Sequence, residues 1–573
     1  MRGPVRVVAC LIALALLAAG PAGAASSTTR TRPAAAAATR TGKARPRLRT
    51  RAPKKTQNRQ RRALAATRRP RRAAVRPRRD PAALADLAVA RAAELGLVGD
   101  EAIDAAVERL MDEAKAHGIE VSLSVGSLGG RQRNITSRFA FNQADPVGNL
   151  RLVTAAYALD ALGPDHRFET AFAGDRRGNL YVEGALDPTL DDAALDRALR
   201  AGGVTRIDGD LVLARGGDLA GRLPAALRAA GIELRGAVKT GSPPPEAATR
   251  HVHRSDTLAA IARRSLAGDP IDQELLARAA NAARPATARL PDGAAGIARF
   301  LGARVRLRRF NREFDIRDPA AAHGNSLSSD QMLAVLRFTR KNPRTAPLLD
   351  ALAGDGAVFA TTAQHGAAVS RTGFVRPKDR RKADVGFAAL ARARTAGERA
   401  VAEVWLDALA LTLARIEPRA PRPRAADPST WPAVPRGKLE LETTFGRPGE
   451  YVVRHRLPIG PGGRMAQVRI NRKLIPVLEA ALAEAAGRDL VKHIARFGGT
   501  FKLRTKRRPD GTELQPPMFS THSYGVSFDL NPDAAGGDVH PELGALFEKY
   551  GFVWGKYFAH NYDPMHFQFA ADY

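Results

Sequence analysis

Ser520-Thr521-His522-Ser523-Tyr524-Gly525-Val526-Ser527-Phe528-Asp529, followed by Asp563-Pro564-Met565-His566, is the stretch that decides how the end of this 573-residue chain folds. Val526, Phe528 and Leu530 alternate with Ser527 and Asp529, which predicts a strand from which Asp529 projects. Phe567 and Phe569 bracket Gln568, which predicts a second strand. Adjacent strands would bring His522, Asp529 and His566 together. Two imidazoles and a carboxylate form a three-ligand set of the kind catalytic zinc uses, with a fourth position left for water. Asp563, three residues before His566, is a candidate to take a proton there as general base. The bland alternative is that each histidine is a satisfied core or surface group.

These residues resemble a known family, the zinc peptidases of bacterial cell-wall peptides. It comprises D-Ala-D-Ala carboxypeptidases and dipeptidases and phage-type L-alanyl-D-glutamate endopeptidases. Its pattern is Ser-x-His-x-x-Gly-x-x-x-Asp, then Glu or Asp-x-x-His, with an upstream Arg. Ser520, His522, Gly525, Asp529, Asp563 and His566 match position by position, and Gly499-Thr500-Phe501-Lys502-Leu503-Arg504 supplies the Arg. The resemblance covers residues 440–573. It implies His522, Asp529 and His566 as zinc ligands and Asp563 as base. It also implies Arg504 as a cation near the scissile carbonyl or a substrate carboxylate. Asp rather than Glu at 563 looks more like the L-alanyl-D-glutamate branch. Ser520, Trp554 and Tyr557 are candidates for substrate binding, as is Tyr562, with core packing the alternative for the aromatic residues.

Working outward, charge and composition divide the rest. The formal net charge is +32, but residues 25–79 hold 20 Lys or Arg and no Asp, Glu or aromatic. Such a segment cannot bury a core and is expected to be disordered. Residues 1–24 have a basic start, an apolar run from Val7 to Ala19 and then Pro21-Ala22-Gly23-Ala24, which reads as a secretory signal. Cleavage there would remove Cys10, the single cysteine, and leave a chain without thiolate metal sites. Export argues against nucleic acid as the partner of the basic segment. Contact with an anionic envelope surface, or a solvated spacer, are the readings left for it. No later stretch is apolar enough for a transmembrane anchor after cleavage.

Asp80-Pro81 predicts a helix start, with helices over 82–96 and 100–117, strand-like runs at 119–125 and 180–182, and a helix over 152–162. Residues 418–435 hold six prolines and read as a linker; a helix over 473–496 is expected beyond it. Residues Asp145–Thr154, Leu162–Phe168 and Gly178–Tyr181 resemble the larger penicillin-binding D-alanyl-D-alanine carboxypeptidase/endopeptidase family. That family acylates a serine in Ser-x-x-Lys, supported by Ser-x-Asn and Lys-Thr-Gly. Gly148 and Arg151 stand at the Ser and Lys positions, leaving neither nucleophile nor neutral-pH amine base. Ser265-Leu266-Ala267 aligns with Ser-x-Asn and Arg371-Thr372-Gly373 with Lys-Thr-Gly, whereas the literal Lys239-Thr240-Gly241 runs into Ser242-Pro243-Pro244-Pro245 and reads as a connecting turn.

The expected architecture is a multidomain α+β chain. A signal peptide (1–24) and a disordered Arg/Ala/Pro-rich segment (25–79) precede a degenerate penicillin-binding-carboxypeptidase-like α/β region (80–417). A Pro-rich linker (418–436) leads to a small α+β zinc peptidase domain (437–573). The expected function is an exported, secreted or periplasmic, zinc-dependent peptidase of peptidoglycan peptides with a non-acylating middle region as scaffold or wall-binding module. The alternative is a non-catalytic peptidoglycan-binding or structural envelope protein.

Overall fold

The computed structural model describes residues 80–573, apart from 130–132, 185–186, 214–218, 270, 283–292, 308–313, 321–323, 380, 420–426, 507–511, 533–538 and 559–561. The expected signal peptide and basic segment therefore lie outside the described residues. No helix among the described residues is long and apolar enough to cross a membrane.

The described residues begin with Asp80, which caps helix α1 (Pro81–Glu94): its carboxylate accepts from Ala82 N at 3.0 Å, and Pro81 occupies the first turn. Helix α2 (Gly99–Ala116) turns Ile103, Ala106, Val107 and Leu110 to one buried face. Strands β1 (Glu120–Ser127) and β2 (Asn134–Arg138) follow, then helix α3 (Leu150–Leu162) and, much later, helix α4 (Ser329–Lys341). Strands β3 (Val358–His365), β4 (Ala368–Val375) and β5 (Val385–Arg392) lead into helix α5 (Ala396–Arg415). The sheet is antiparallel in the order β3-β4-β5-β1-β2, with a two-residue strand, Gly354–Asp355, outside β3.

Helices cover both faces. Val121, Leu123, Val125, Phe387 and Ala389 join one core with α1, α2 and Trp405 of α5. Phe374 and Ala388 join the other with α3 and α4. Central β5 is consequently buried from Val385 through Ala391 and reads as a continuous apolar run, the pattern of a strand covered on both sides.

Two expected motif positions move. Ser265 is buried in the helix Leu258–Ala267, where it accepts from Gln273 Nε2 at 2.9 Å, so it belongs to packing rather than to a cleft. Arg371 turns towards α5 and pairs with Asp407, while its strand neighbours Ser370 and Thr372 face the opposite side. The period-two alternation of a strand forces that separation. Lys239 lies on the edge strand Val238–Thr240 of a second, five-stranded sheet and pairs with Asp210 at 2.5 Å.

The Pro-rich segment is held at both ends. Arg419 O accepts from Asp100 N, and Trp431 and Val434 pack on the final core. Helix α6 (Gly437–Phe445) precedes a hairpin of β6 (Val452–Leu457) and β7 (Ala466–Asn471), and helix α7 (Ile475–Gly487) follows. The expected helix over 473–496 ends at Gly487, because Asp489 adopts a left-handed φ of 56° before a short 3-10 turn, Leu490–His493. Strands β8 (Phe497–Gly499) and β9 (Ser527–Leu530), helix α8 (Pro541–Lys549), and strands β10 (Val553–Trp554) and β11 (His566–Gln568) complete the chain. Their sheet runs β8-β9-β11-β10 over a core of Phe528, Phe547, Phe552 and Phe567.

The regions 80–417 and 437–573 meet around Arg138, whose side chain is fully buried. It binds Asp104 at 3.1 Å and also Glu108. Arg472 reaches Asp104, and Tyr451 donates to Glu108 at 2.7 Å. Burial, the largest influence, would raise both carboxyls, but the charges of Arg138 and Arg472 together with the side-chain hydrogen bonds outweigh it and hold both below their usual range.

Candidate metal centre

His522 stands on a 3-10 turn, Thr521–Tyr524, that Ser520 caps by accepting from His522 N at 3.4 Å. Gly525 ends the turn in the left-handed region, φ 67°. A β-carbon there would approach Asn471 N to 2.8 Å, so only glycine returns the chain to β9 against β7. Strands β9 and β11 pair with Asp529 opposite His566. A turn and two neighbouring strands thus deliver three side chains whose ligating atoms all lie within 4.8 Å of one another.

The hydrogen bonds around the trio decide which nitrogens face inwards. His522 Nδ1 lies 2.6 Å from the Thr500 carbonyl, which can only accept, so this nitrogen carries the proton. His522 Nε2 is buried without a hydrogen-bond partner, 3.2 Å from Asp529 Oδ1. Gln568 Nε2 donates to Ala570 O, which turns Gln568 Oε1 to His566 Nε2 at 3.3 Å. That leaves His566 Nδ1, 3.0 Å from the same Asp529 oxygen. Three lone-pair atoms therefore converge at one point, and either a proton or a cation must stand among them. Imidazole and carboxylate together suit a borderline divalent ion such as zinc, so the donor set fits. Burial would raise the Asp529 carboxyl, but His522 and His566 hold it well below its usual range.

Asp563 and Arg504 stand beside the trio. Burial, with Asp529 adding to it, raises the Asp563 carboxyl above its ordinary value against the lowering charges of His566, His522 and Arg504. Arg504 is exposed, and its backbone is tied down: N accepts nothing but donates to Ser523 Oγ at 2.9 Å, while O receives Ser520 N at 3.0 Å.

The candidates for substrate contact separate. Trp554 is 2% exposed, donates to Pro564 O at 2.7 Å and stacks on Phe567, so it is a core residue and not part of a groove. Ser520 spends its hydroxyl on the turn. Tyr557 and Tyr562 are exposed. His540 stacks on His493 outside the trio, and His560 lies outside the described residues. Sequence reasoning did not find Thr500 or Gln568. Gln568 shares a strand face with His566 two residues earlier, a signal that could have found it, whereas nothing around Thr500 marks its carbonyl.

At the other motif, Gly148 occupies a 3-10 turn, Val147–Asn149, ahead of α3, and Arg151 lies in the first turn of α3. A β-carbon on Gly148 would press on the Ala363 methyl at 3.0 Å. Ser370 Oγ donates to Pro146 O and Asn149 Nδ2 to Thr372 Oγ1, closing β4 onto the turn. Neither β3 nor β4 carries a lysine.

Comparisons with known proteins fall on both regions. Residues 104–220 match a family model described as the D-Ala-D-Ala carboxypeptidase 3 (S13) family, and residues 515–569 one described as D-alanyl-D-alanine carboxypeptidase. A D-alanyl-D-alanine carboxypeptidase of Actinomadura sp. (strain R39) is 39% identical over 139 residues, 22% of this chain. The match spans 24% of that relative's length. Penicillin binding protein 4 from Haemophilus influenzae aligns over 53% of this chain and 99% of its own, at 16% identity and TM-score 0.44. A predatory endopeptidase from Bdellovibrio bacteriovorus aligns over 53% and 95%, at 15% identity and TM-score 0.40. The C-terminal part thus resembles the zinc carboxypeptidase family, and the middle part resembles the D-Ala-D-Ala carboxypeptidase 3 (S13) family.

Proposed function

We propose that this protein is an exported zinc peptidase of the bacterial envelope whose residues 437–573 cut peptidoglycan stem or cross-link peptides. The observation that carries this reading is the convergence of His522 Nε2, His566 Nδ1 and Asp529 Oδ1, with the other ring nitrogen of each histidine facing an acceptor oxygen. The family matches support cell-wall peptides as the substrate class, and the sequence of residues 1–24 supports export.

His522, Asp529 and His566 would hold the metal, which when bound supplies Lewis acidity at the scissile carbonyl. Thr500 O and Gln568 Oε1 fix the two imidazole tautomers, so the rings need no rearrangement to present their lone pairs. Asp563, its carboxyl raised by burial, accepts a proton from the attacking water at its carboxylate and returns it to the leaving amine. The Arg504 guanidinium offers a planar fork to the developing oxyanion or to a substrate carboxylate. The middle region contributes no acylation, because Gly148 has no hydroxyl.

The decisive experiment digests purified peptidoglycan with the zinc-loaded full chain and identifies the fragments by mass spectrometry. Release of D-Ala or cleavage between L-Ala and D-Glu is the expected result and names the bond. Stoichiometric zinc without any fragment would favour the binding protein instead. A labelled penicillin should leave the middle region unmodified; a covalent adduct on a serine there would overturn the non-acylating assignment.

A further inference from the structure

We infer that the middle region positions the metal centre of the C-terminal region, with Phe141 and Asp330 as its positioning residues. The inference rests on the proposal that His522, Asp529 and His566 hold zinc. Strands β6 and β7 set Arg454 directly opposite Arg469, two cations in register on one hairpin. Such a pair repels unless something of opposite character stands against it.

The middle region supplies that counterpart. The Phe141 ring receives both guanidinium groups, Arg454 at 5.5 Å and Arg469 at 5.3 Å from its centroid. Asp330, buried in the first turn of α4, takes Arg454 through both carboxylate oxygens, at 2.8 Å from Nε and 2.5 Å from Nη2 on the nearer one. Asp330 N donates to Ala140 O at 3.1 Å, which fixes the ring and the carboxylate relative to each other.

From Arg469 the path to the metal ligands is short. Phe501 packs on Phe141 at 5.7 Å between centroids and lies under the same guanidinium at 5.2 Å. Arg469 Nη2 donates to Phe501 O at 3.1 Å, and Thr500 Oγ1 donates to Arg469 O. Thr500 and Phe501 are thus held from two sides by one arginine. The Thr500 carbonyl is the group that fixes the protonated nitrogen of His522. Each link is a direct contact, and Phe141 and His522 are 381 residues apart in sequence. The region without an acylating serine therefore keeps a function as the outer support of a ligand.

The test measures zinc affinity of the full chain by competition with a chromophoric chelator, and records the visible spectrum of the cobalt(II)-substituted protein. Phe141→Leu keeps apolar volume but removes the ring face, and Asp330→Asn removes the charge that binds Arg454. Each should weaken zinc binding about 10- to 100-fold, the range for supports of metal ligands. Each should also change the cobalt spectrum, and Phe141→Tyr, which keeps the ring, should retain the wild-type spectrum. Asp160→Asn, which breaks the middle-region pair with Arg304 away from this path, controls for general destabilisation and should leave affinity unchanged. Wild-type affinity and spectrum in both Phe141→Leu and Asp330→Asn would overturn the inference while leaving the zinc assignment standing. A wild-type chain that binds no zinc would overturn the assignment and the inference together.

Discussion

Gly148 and His522 both sit on short 3-10 turns that end against a sheet, yet different groups face the two turns. Around Gly148 the hydroxyl of Ser370 and the amide of Asn149 join β4 to the turn, and the Ala363 methyl fills the space where a side chain would begin. Around His522 a buried nitrogen has no hydrogen-bond partner, and a carboxylate oxygen faces two imidazoles. An unsatisfied buried polar group costs about 1–3 kcal/mol. Asn149 Oδ1 is also buried without a partner beside Gly148, but it stands alone there, whereas beside His522 a second imidazole and a carboxylate converge on the orphaned nitrogen. The difference is that ligating atoms converge beside His522, whereas a methyl and two strand side chains close over Gly148.

The largest effect should come from removing a ligand. His566→Ala should lose most bound zinc and with it muropeptide cleavage, since two remaining ligands make a poor tetrahedral site. Near-stoichiometric zinc in that variant would break the comparison, because the converging lone pairs would then not be the metal site.

Next come the residues that act beside the metal. Asp563→Asn keeps shape but loses basicity, so zinc should stay while turnover falls about 10²- to 10⁴-fold. Arg504→Ala should also keep zinc, and Arg504→Lys should rescue only part of the lost activity, because a point charge replaces a planar fork. Zinc content, melting temperature and cleavage measured on the same preparations separate these roles from structural ones. Full activity in Asp563→Asn would remove it as the base; zinc loss together with earlier melting in both variants would make the pair structural.

The parts of this picture that were legible in the sequence are those with local causes. Asp80-Pro81 announces α1 because a cap and a fixed φ act within three residues. Alternation from Val526 to Leu530 announces β9 because side-chain direction reverses at every residue. Trp554 was not legible, since an aromatic side chain suits a groove or a core equally and only tertiary contact with Phe567 decides. Arg371 carried a motif-like neighbourhood, but the sheet face it occupies depends on register with β5 and on Asp407 in α5. The support of Thr500 by Phe141 and Arg469 has no local signature at all, because its partners are far apart in the chain.

The smallest expected effect concerns the Arg138 contact, one of those that join the two regions. Asp104 and Glu108 are pulled below their ordinary pKa mainly by Arg138, against the opposing effect of burial. A carboxyl depressed in the folded state stabilises the fold above its unfolded pKa, near 4. That contribution is lost as pH falls through the folded value. Acidification from about pH 5 downwards should therefore loosen this contact, while between pH 6 and 8, with both groups ionised, it should not change. Glu108 is 40% exposed at its side chain, so solvent screens it and Asp104, 25% exposed, should dominate. Asp104→Asn removes one titrating partner of both Arg138 and Arg472. Its melting temperature should be lower than wild type at pH 7, and the difference should shrink as pH drops. A change of about 1 kcal/mol corresponds to roughly 2–4 °C for a domain of 150–250 residues, which calorimetry across pH 3 to 7 resolves. A difference that grows on acidification would mean that Asp104 is protonated in the folded state, and the contact around Arg138 would then owe its stability to packing rather than charge.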